Sequence, residues 1–239
     1  TGSRLNFVEN PDTVPENVRE ISPTVFFAVP RVWEKFYSGV TIALQESTRL
    51  QQLAYRWALG VGGRIADRVL AGQPVPASLK LRFRLARWLV LDNVRKLIGI
   101  HRVRYLLTGA APISPELIRW YLSLGIPMLE LWGMTETCGV STLVPPERIK
   151  PGSIGPAVAY NQVRLDPATG EIQVRGQNVF AGYLNLPEKT AEAFTADGWL
   201  RTGDLFASGT VSGDRPDERG SFLELTWNGD APVSLPDGS

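Results

Sequence analysis

Residues 129–139 read Leu-Glu-Leu-Trp-Gly-Met-Thr-Glu-Thr-Cys-Gly, and within them Gly133, Thr135 and Glu136 are the residue types that a Mg-nucleotide requires. An apolar run ending this way sets a hydroxyl and a carboxylate side by side just past a strand end. The neighbouring glycine, without a side chain, leaves room for a ligand against the backbone. The hydroxyl and nearby backbone N–H groups can donate to phosphate oxygens. The carboxylate suits Mg²⁺, which keeps its remaining positions for phosphate and water. A Thr-Glu pair at a strand end also serves as a plain helix cap, so the meaning of the tetrapeptide depends on its surroundings.

Those surroundings predict the elements that would position it. Ile126–Leu131 reads as a strand leading into the Thr-Glu turn. Arg104–Thr108 reads as another, ending at Gly109-Ala110-Ala111-Pro112. Between them Ser114, Pro115 and Glu116 open a helix with Leu117, Ile118, Tyr121 and Leu122 on its inner face. Strand, helix, strand with small residues at both strand ends is the arrangement of a parallel α/β sheet, which binds ligands beyond the carboxyl ends of its strands. The two small-residue turns are therefore expected to face one crevice.

Upstream, residues 1–24 are expected to form loop and a short helix. Thr24–Val29 is expected to be a buried strand stopped by Pro30, and residues 31–70 to be helical with breaks at Gly60 and Gly62-Gly63. Gly72–Pro76 reads as a loop. From Ser78 to Ile98 the apolar Leu79, Phe83, Ala86, Val90 and Leu97 interleave with Lys80, Arg82, Arg84, Arg87, Arg95 and Lys96. That pattern is either a helix with a solvated basic face or, functionally, a membrane-surface or CoA-phosphate patch. After Thr142 the texture turns to prolines, glycines and short strands, with a hairpin from 162–165 to 171–175 around Asp166–Gly170 and a short helix near 187–194. The expected fold class is α/β: a partial large domain with a parallel sheet and helices over 1–142, a small β-rich region over 143–204, and a β tail over 205–239.

Composition excludes several classes of function. The 239 residues carry 25 basic and 24 acidic side chains, a net charge of +1, which argues against a nucleic-acid binder working through bulk charge. One cysteine, Cys138, and one histidine, His101, leave neither an internal disulfide nor a Cys/His zinc cluster. Cys138 is expected to be a buried, inert thiol, and His101 receives no role. No run approaches the roughly 20 apolar residues that span a bilayer, so the expected compartment is cytoplasmic, with peripheral membrane contact as a variant. The opening Thr1-Gly2-Ser3, without a methionine, reads as an excised piece.

Five ordered stretches carry a resemblance: Phe26–Lys35, Thr108–Ile113, Trp132–Glu136, Gly182-Tyr183 and Trp199–Asp204. Over about residues 1–204 the chain resembles the AMP-forming adenylate-forming enzymes, and within them the long-chain fatty acyl-CoA synthetases. The resemblance implies that Gly109, Ala110 and Ala111 line the adenine and that Trp132, where the family usually has tyrosine, stacks on it. It implies that Thr135 contacts the α-phosphate, Glu136 holds Mg²⁺ and Asp204 accepts from the ribose hydroxyls, with Glu130, Leu131 and Gly133 among the nucleotide contacts. The implied reaction joins ATP and a fatty acid to acyl-AMP and pyrophosphate, after which CoA displaces AMP. The family's phosphate loop would lie upstream of residue 1 and its C-terminal lid with the catalytic lysine beyond Asp204, so the chain is expected not to complete catalysis alone. Self-association through exposed apolar surface is expected in turn.

From about residue 203 to 239 the sequence instead resembles the C-terminal part of fumarylacetoacetases, whose substrate-contacting threonine and catalytic glutamate would fall on Thr210 and Glu224. That resemblance implies a fusion near residues 203–205. The alternatives to a ligase fragment are a non-catalytic nucleotide- or acyl-binding module, an inert fusion product and, more weakly, a fumarylacetoacetase-related hydrolase, whose metal ligands are absent.

Overall fold

A computed structural model describes residues 4–8 and 10–205. The tail, with Thr210 and Glu224, lies outside the described residues. By its contacts the chain divides into two units, Thr1–Gln162 with Gly176–Ala181, and Val163–Arg175 with Gly182–Ser239.

In the first unit a 3-10 turn at Pro11–Thr13, capped by the Asn10 side chain, leads into α1 (Val14–Ile21). Then follow β1 (Val25–Ala28), α2 (Pro30–Gln45), α3 (Arg49–Leu70), α4 (Ala77–Ala86), a π turn at Arg87–Leu91 and α5 (Asp92–Leu97). The order continues with β2 (Tyr105–Thr108), α6 (Pro115–Ser123), β3 (Met128–Met134), a 3-10 turn at Thr135–Thr137 and β4 (Gly139–Leu143). The sheet runs β1-β2-β3-β4. β1, β2 and β3 are parallel, and β4 is antiparallel to β3 with a register shift between Trp132 and Gly133.

Two expectations are corrected here. β1 is not a buried strand: it is the last strand of its sheet among the described residues, and Val25 and Phe27 are about half exposed. The helical stretch breaks at Glu46–Thr48 and not at the glycines, because Thr48 and Gln51 form a capping box that starts α3. The side-chain amide of Gln52 also donates to the carbonyls of Leu44 and Ser47, both at 3.1 Å, which pins the corner. α3 then continues through Gly60, Gly62 and Gly63. Gly62 is where α3 touches α6, since a Cβ there would run into the Ser123 carbonyl.

The core of this unit gathers around Trp33, which is fully buried. Its ring meets Phe26 edge-on at 5.0 Å and Tyr121 edge-on at 5.6 Å. Its indole N–H donates to the Ala28 carbonyl at 3.1 Å, and the Tyr121 hydroxyl donates to the Trp33 carbonyl at 3.0 Å. These contacts tie β1 and α2 to α6, the helix that connects β2 to β3.

The second unit is a three-stranded sheet in the order β5-β6-β7, formed by β5 (Asn161–Leu165, from Val163 in this unit), β6 (Glu171–Gly176) and β7 (Leu200–Leu205), with α7 (Pro187–Ala193) before β7. The expected hairpin is present. The Asp166 carboxylate accepts from the N–H groups of Ala168 and Thr169 at 2.9 and 3.0 Å, an Asx turn that reverses the chain. Trp199 lies between two guanidinium groups, those of Arg164 at 4.3 Å and Arg175 at 4.7 Å from its ring centre. Arg164 in turn grips Asp197 with two bonds of 2.7 and 3.1 Å.

Candidate functional site

The parallel pairing of β2 with β3 places Thr108, where β2 ends, opposite Glu130, four residues before β3 ends at Met134, so the small-residue turn after β2 runs alongside the second half of β3. Gly109 is set by the packing of its turn on β3: a Cβ there would lie 2.7 Å from Leu131 Cδ1 and 2.8 Å from the Leu131 carbonyl. Ala110 follows at φ 68°, a left-handed conformation that a side-chain-bearing residue holds only when its surroundings demand it. Ala110 and Ala111 are both exposed. Just before them the Thr108 hydroxyl is buried and has no hydrogen-bond partner among the described residues.

On the neighbouring strand the backbone continues as β3 through Met134 and then tightens into the 3-10 turn. Thr137 locks that turn. Its buried hydroxyl accepts from the Met134 N–H at 3.1 Å and lies 3.0 Å from the Met134 carbonyl and 3.2 Å from the Gly139 carbonyl. From residues 176–181, the Asn178 amide donates to the Thr137 carbonyl at 2.6 Å and the Phe180 N–H donates to the Glu136 carbonyl at 2.8 Å. Thr135 is left exposed at the start of the turn, Glu136 is half-buried beside it, and Trp132 is half-buried in β3. The lock formed by Thr137 and Asn178 was not legible in the sequence, where a threonine two residues before a glycine carries no special signal.

Two further expectations are corrected at this turn. The space that a Cβ would take at Gly133 is occupied by the Gly139 carbonyl, so this glycine serves the close crossing of β3 and β4 and not the approach of a ligand. Cys138 is exposed, not buried, because it ends the turn in a left-handed conformation at φ 51° that directs the chain into β4.

Glu130 has its own environment. It is partly buried and accepts a backbone hydrogen bond from the Gly152 N–H at 3.0 Å. Burial pushes its carboxyl up from 4.5 to about 7, against the smaller lowering effect of that bond. A carboxyl whose proton affinity is raised by burial, on a strand position opposite the residue with the unpartnered hydroxyl, is the kind of group that gathers at binding sites.

The donor set fits Mg²⁺ held largely by phosphate and water: one carboxylate, Glu136, next to an exposed hydroxyl, Thr135. Among the described residues no three His, Cys, Asp or Glu side chains come together as a metal cage. The structure thus sets Gly109–Ala111 at the end of β2 beside β3, and Glu130–Glu136 along the second half of β3 and the turn that follows it. Asp204 lies in the second unit, exposed on β7, where its N–H donates to the Thr202 hydroxyl at 3.1 Å. A separate cavity of about 420 Å³ lies between α2, α3 and α6, against Tyr37, Tyr55, Arg56 and Trp120, and none of the expected site residues lines it.

Comparison with known proteins decides the family. Residues 1–184 match the family described as AMP-binding enzyme. The chain belongs to that family. Among AMP-binding enzymes it is 37% identical over 206 residues to the putative fatty-acid–CoA ligase fadD11 of Mycobacterium tuberculosis, covering 86% of this chain and 36% of the relative. It is 40% identical over 207 residues to the long-chain-fatty-acid–CoA ligase ACSBG2 of Gallus gallus, covering 83% of this chain and 27% of the relative. The chain therefore spans about a third of the length of the curated relatives it matches. The inhibitor-bound N-terminal domain of FACL13 from Mycobacterium tuberculosis aligns over 82% of this chain and 38% of that one with a TM-score of 0.50 at 23% identity, which shows a shared fold. No helix among the described residues is long and apolar enough to cross a membrane.

Proposed function

We propose that this chain forms part of a long-chain fatty-acid–CoA ligase and carries a portion of its adenylate site. The observation that supports the reading most is the pairing of Thr108 with Glu130 on parallel strands, which sets the Gly-Ala-Ala turn alongside the strand that leads into the Thr-Glu turn. On this reading residues 1–142 are the nucleotide- and acyl-binding part, and residues 143–204 the β-rich end of the adenylation region. Gly109, Ala110 and Ala111 lie against the adenine, Trp132 offers its indole face to the base, and Leu131 and Glu130 complete that wall. Thr135 donates to the α-phosphate. Glu136 holds Mg²⁺, which when bound neutralises phosphate charge. Asp204 accepts from the ribose hydroxyls. The chemistry asked of these residues is positioning and charge stabilisation around an in-line displacement at the α-phosphorus, with fatty acid, ATP and CoA as substrates.

The same reading includes a cytoplasmic, membrane-peripheral location and self-association through exposed apolar surface. It also includes a fusion at residues 203–205 to a fumarylacetoacetase-like tail. Calorimetry with AMP and a non-hydrolysable acyl-AMP analogue tests the nucleotide assignment on the purified chain, with Thr135→Ala and Asp204→Ala as controls. Saturable binding weakened by both substitutions is the expected result. Binding unaffected by either would withdraw the residue assignments, and binding without turnover would favour a non-catalytic nucleotide-binding module.

A further inference from the structure

α4 and the π turn that follows it present two apolar faces, not one. Leu79, Phe83, Ala86 and Val90 face inward, packed in or against the core. Leu81, Leu85, Trp88 and Leu89 sit on the opposite side at helical spacing, with exposures of 68%, 47%, 75% and 48%. The sequence pattern suggests a basic outer face, but the structure gives the outermost positions to leucine and tryptophan and the flanks to the cations. Lys80, Arg82 and Arg84 are exposed on either side of the stripe, and among the described residues none of them makes a salt bridge. Arg87, by contrast, is engaged with Asp92 at 3.2 Å. Between Asp67 and Asp92 there is no acidic residue, while Arg68, Lys80, Arg82, Arg84 and Arg87 all fall in that interval, and Asp92, at the end of the stripe, is paired with Arg87 and Arg95.

We infer that this stripe is a docking face for an anionic lipid surface. Leucine and tryptophan at the apex with lysine and arginine at the flanks is the composition of a helix that lies in the membrane interface. There the apolar side chains enter the acyl boundary, and the long cationic side chains reach sideways to lipid phosphates. The charge pattern favours lipid over a second copy of this chain, since two such faces would bring Lys80, Arg82 and Arg84 against one another. The inference deepens the membrane-peripheral part of the proposed function by naming the surface and the lipid chemistry. It does not depend on nucleotide binding.

Flotation of the full chain with vesicles of phosphatidylcholine, with and without phosphatidylglycerol, tests it. Binding should require phosphatidylglycerol and weaken at high salt. Joint replacement of Lys80, Arg82 and Arg84 by glutamine should weaken it on the order of a hundredfold. Brominated acyl chains should quench part of the tryptophan emission, and Trp88→Phe should remove that part. The variant Leu81→Ser with Leu85→Ser and Trp88→Ser should lose binding with its circular dichroism and AMP affinity unchanged. Equal binding to both vesicle types, or undiminished binding by the serine variant, would overturn the inference. So would a chain that ignores vesicles but forms a dimer which the serine variant dissociates, since that would make the stripe a contact between copies. A chain that binds phosphatidylglycerol but no nucleotide would uphold the docking face while removing the adenylate reading.

Discussion

Replacing Glu130 with glutamine tests whether this carboxyl is held in the protein at a cost to stability. Its proton affinity rises because burial disfavours the charged form and only the Gly152 N–H compensates. The folded carboxyl keeps its proton to higher pH than the unfolded one. The folded state therefore binds more protons between about pH 4.5 and 7, and stability falls as pH rises through that window and levels off above it. At about 1.4 kcal/mol for each tenfold change in proton affinity, the rise from 4.5 to about 7 sets a ceiling of roughly 3 kcal/mol. The side chain is only partly buried, and solvent screening reduces this to about 1–2 kcal/mol. An amide at this position is neutral at every pH, and its carbonyl oxygen can still accept from Gly152. Glu130→Gln should therefore match the parent at pH 5 and exceed it at pH 8 by about 1–2 kcal/mol, or roughly 2–8 °C in Tm. Thermal unfolding followed by circular dichroism at pH 5, 6, 7 and 8 measures the gap. A difference that does not change with pH, or a variant less stable than the parent at pH 8, would refute the reasoning.

Other perturbations test the packing and the turn. Gly62→Ala forces a Cβ against the Ser123 backbone and should cost about 1–3 kcal/mol in urea unfolding, whereas Gly60→Ala, with nothing within 4 Å, should gain up to about 1 kcal/mol. Equal effects at the two glycines would contradict the close α3–α6 contact. Thr137→Val keeps the shape but leaves the Met134 N–H without its acceptor, so stability should fall by about 1–3 kcal/mol and AMP binding should weaken with it. Unaltered unfolding would show that the turn is held by other contacts. Cys138, exposed, should react with a thiol reagent in the native state as fast as in denaturant. A thiol that reacts only after unfolding would restore the expectation of burial.

The strands β1, β2 and β3 were legible, because they are short apolar runs bounded by turn residues, and the helix between β2 and β3 begins at a Ser-Pro-Glu signal. The hairpin of the second unit was legible for the same reason, since Asp166 supplies its own turn chemistry. Glycines misled in both directions. Gly60 and Gly62-Gly63 look like helix breakers, but a glycine can also mark where another backbone passes close by, and only the third dimension tells the two apart. Gly133 looks like room for a ligand, yet the room is used by β4, a strand whose antiparallel pairing no local pattern announces. The exposed edge at β1 was hidden because an apolar run records what a strand can bury, not what lies beside it.

The Phe26–Lys35 stretch shows how a motif can bear on a site it does not touch. Pro30 starts α2 immediately after β1, and Trp33 one turn later folds its ring back beneath the strand, where its N–H reaches the Ala28 carbonyl. Tyr121 then closes on Trp33 from α6, and burial raises its pKa so far that the hydroxyl stays a donor at any working pH. α6 is rigidly joined at one end to the Gly-Ala-Ala turn and at the other to β3. A loosened Trp33 would therefore let both strand ends shift together. Trp33→Phe, which keeps an aromatic ring but loses the bond to Ala28, should lower stability by about 1–2 kcal/mol. It should also weaken AMP binding, although the indole is buried in the core. Weakened folding with unchanged AMP affinity per folded molecule would show that the strand ends are held independently of this core.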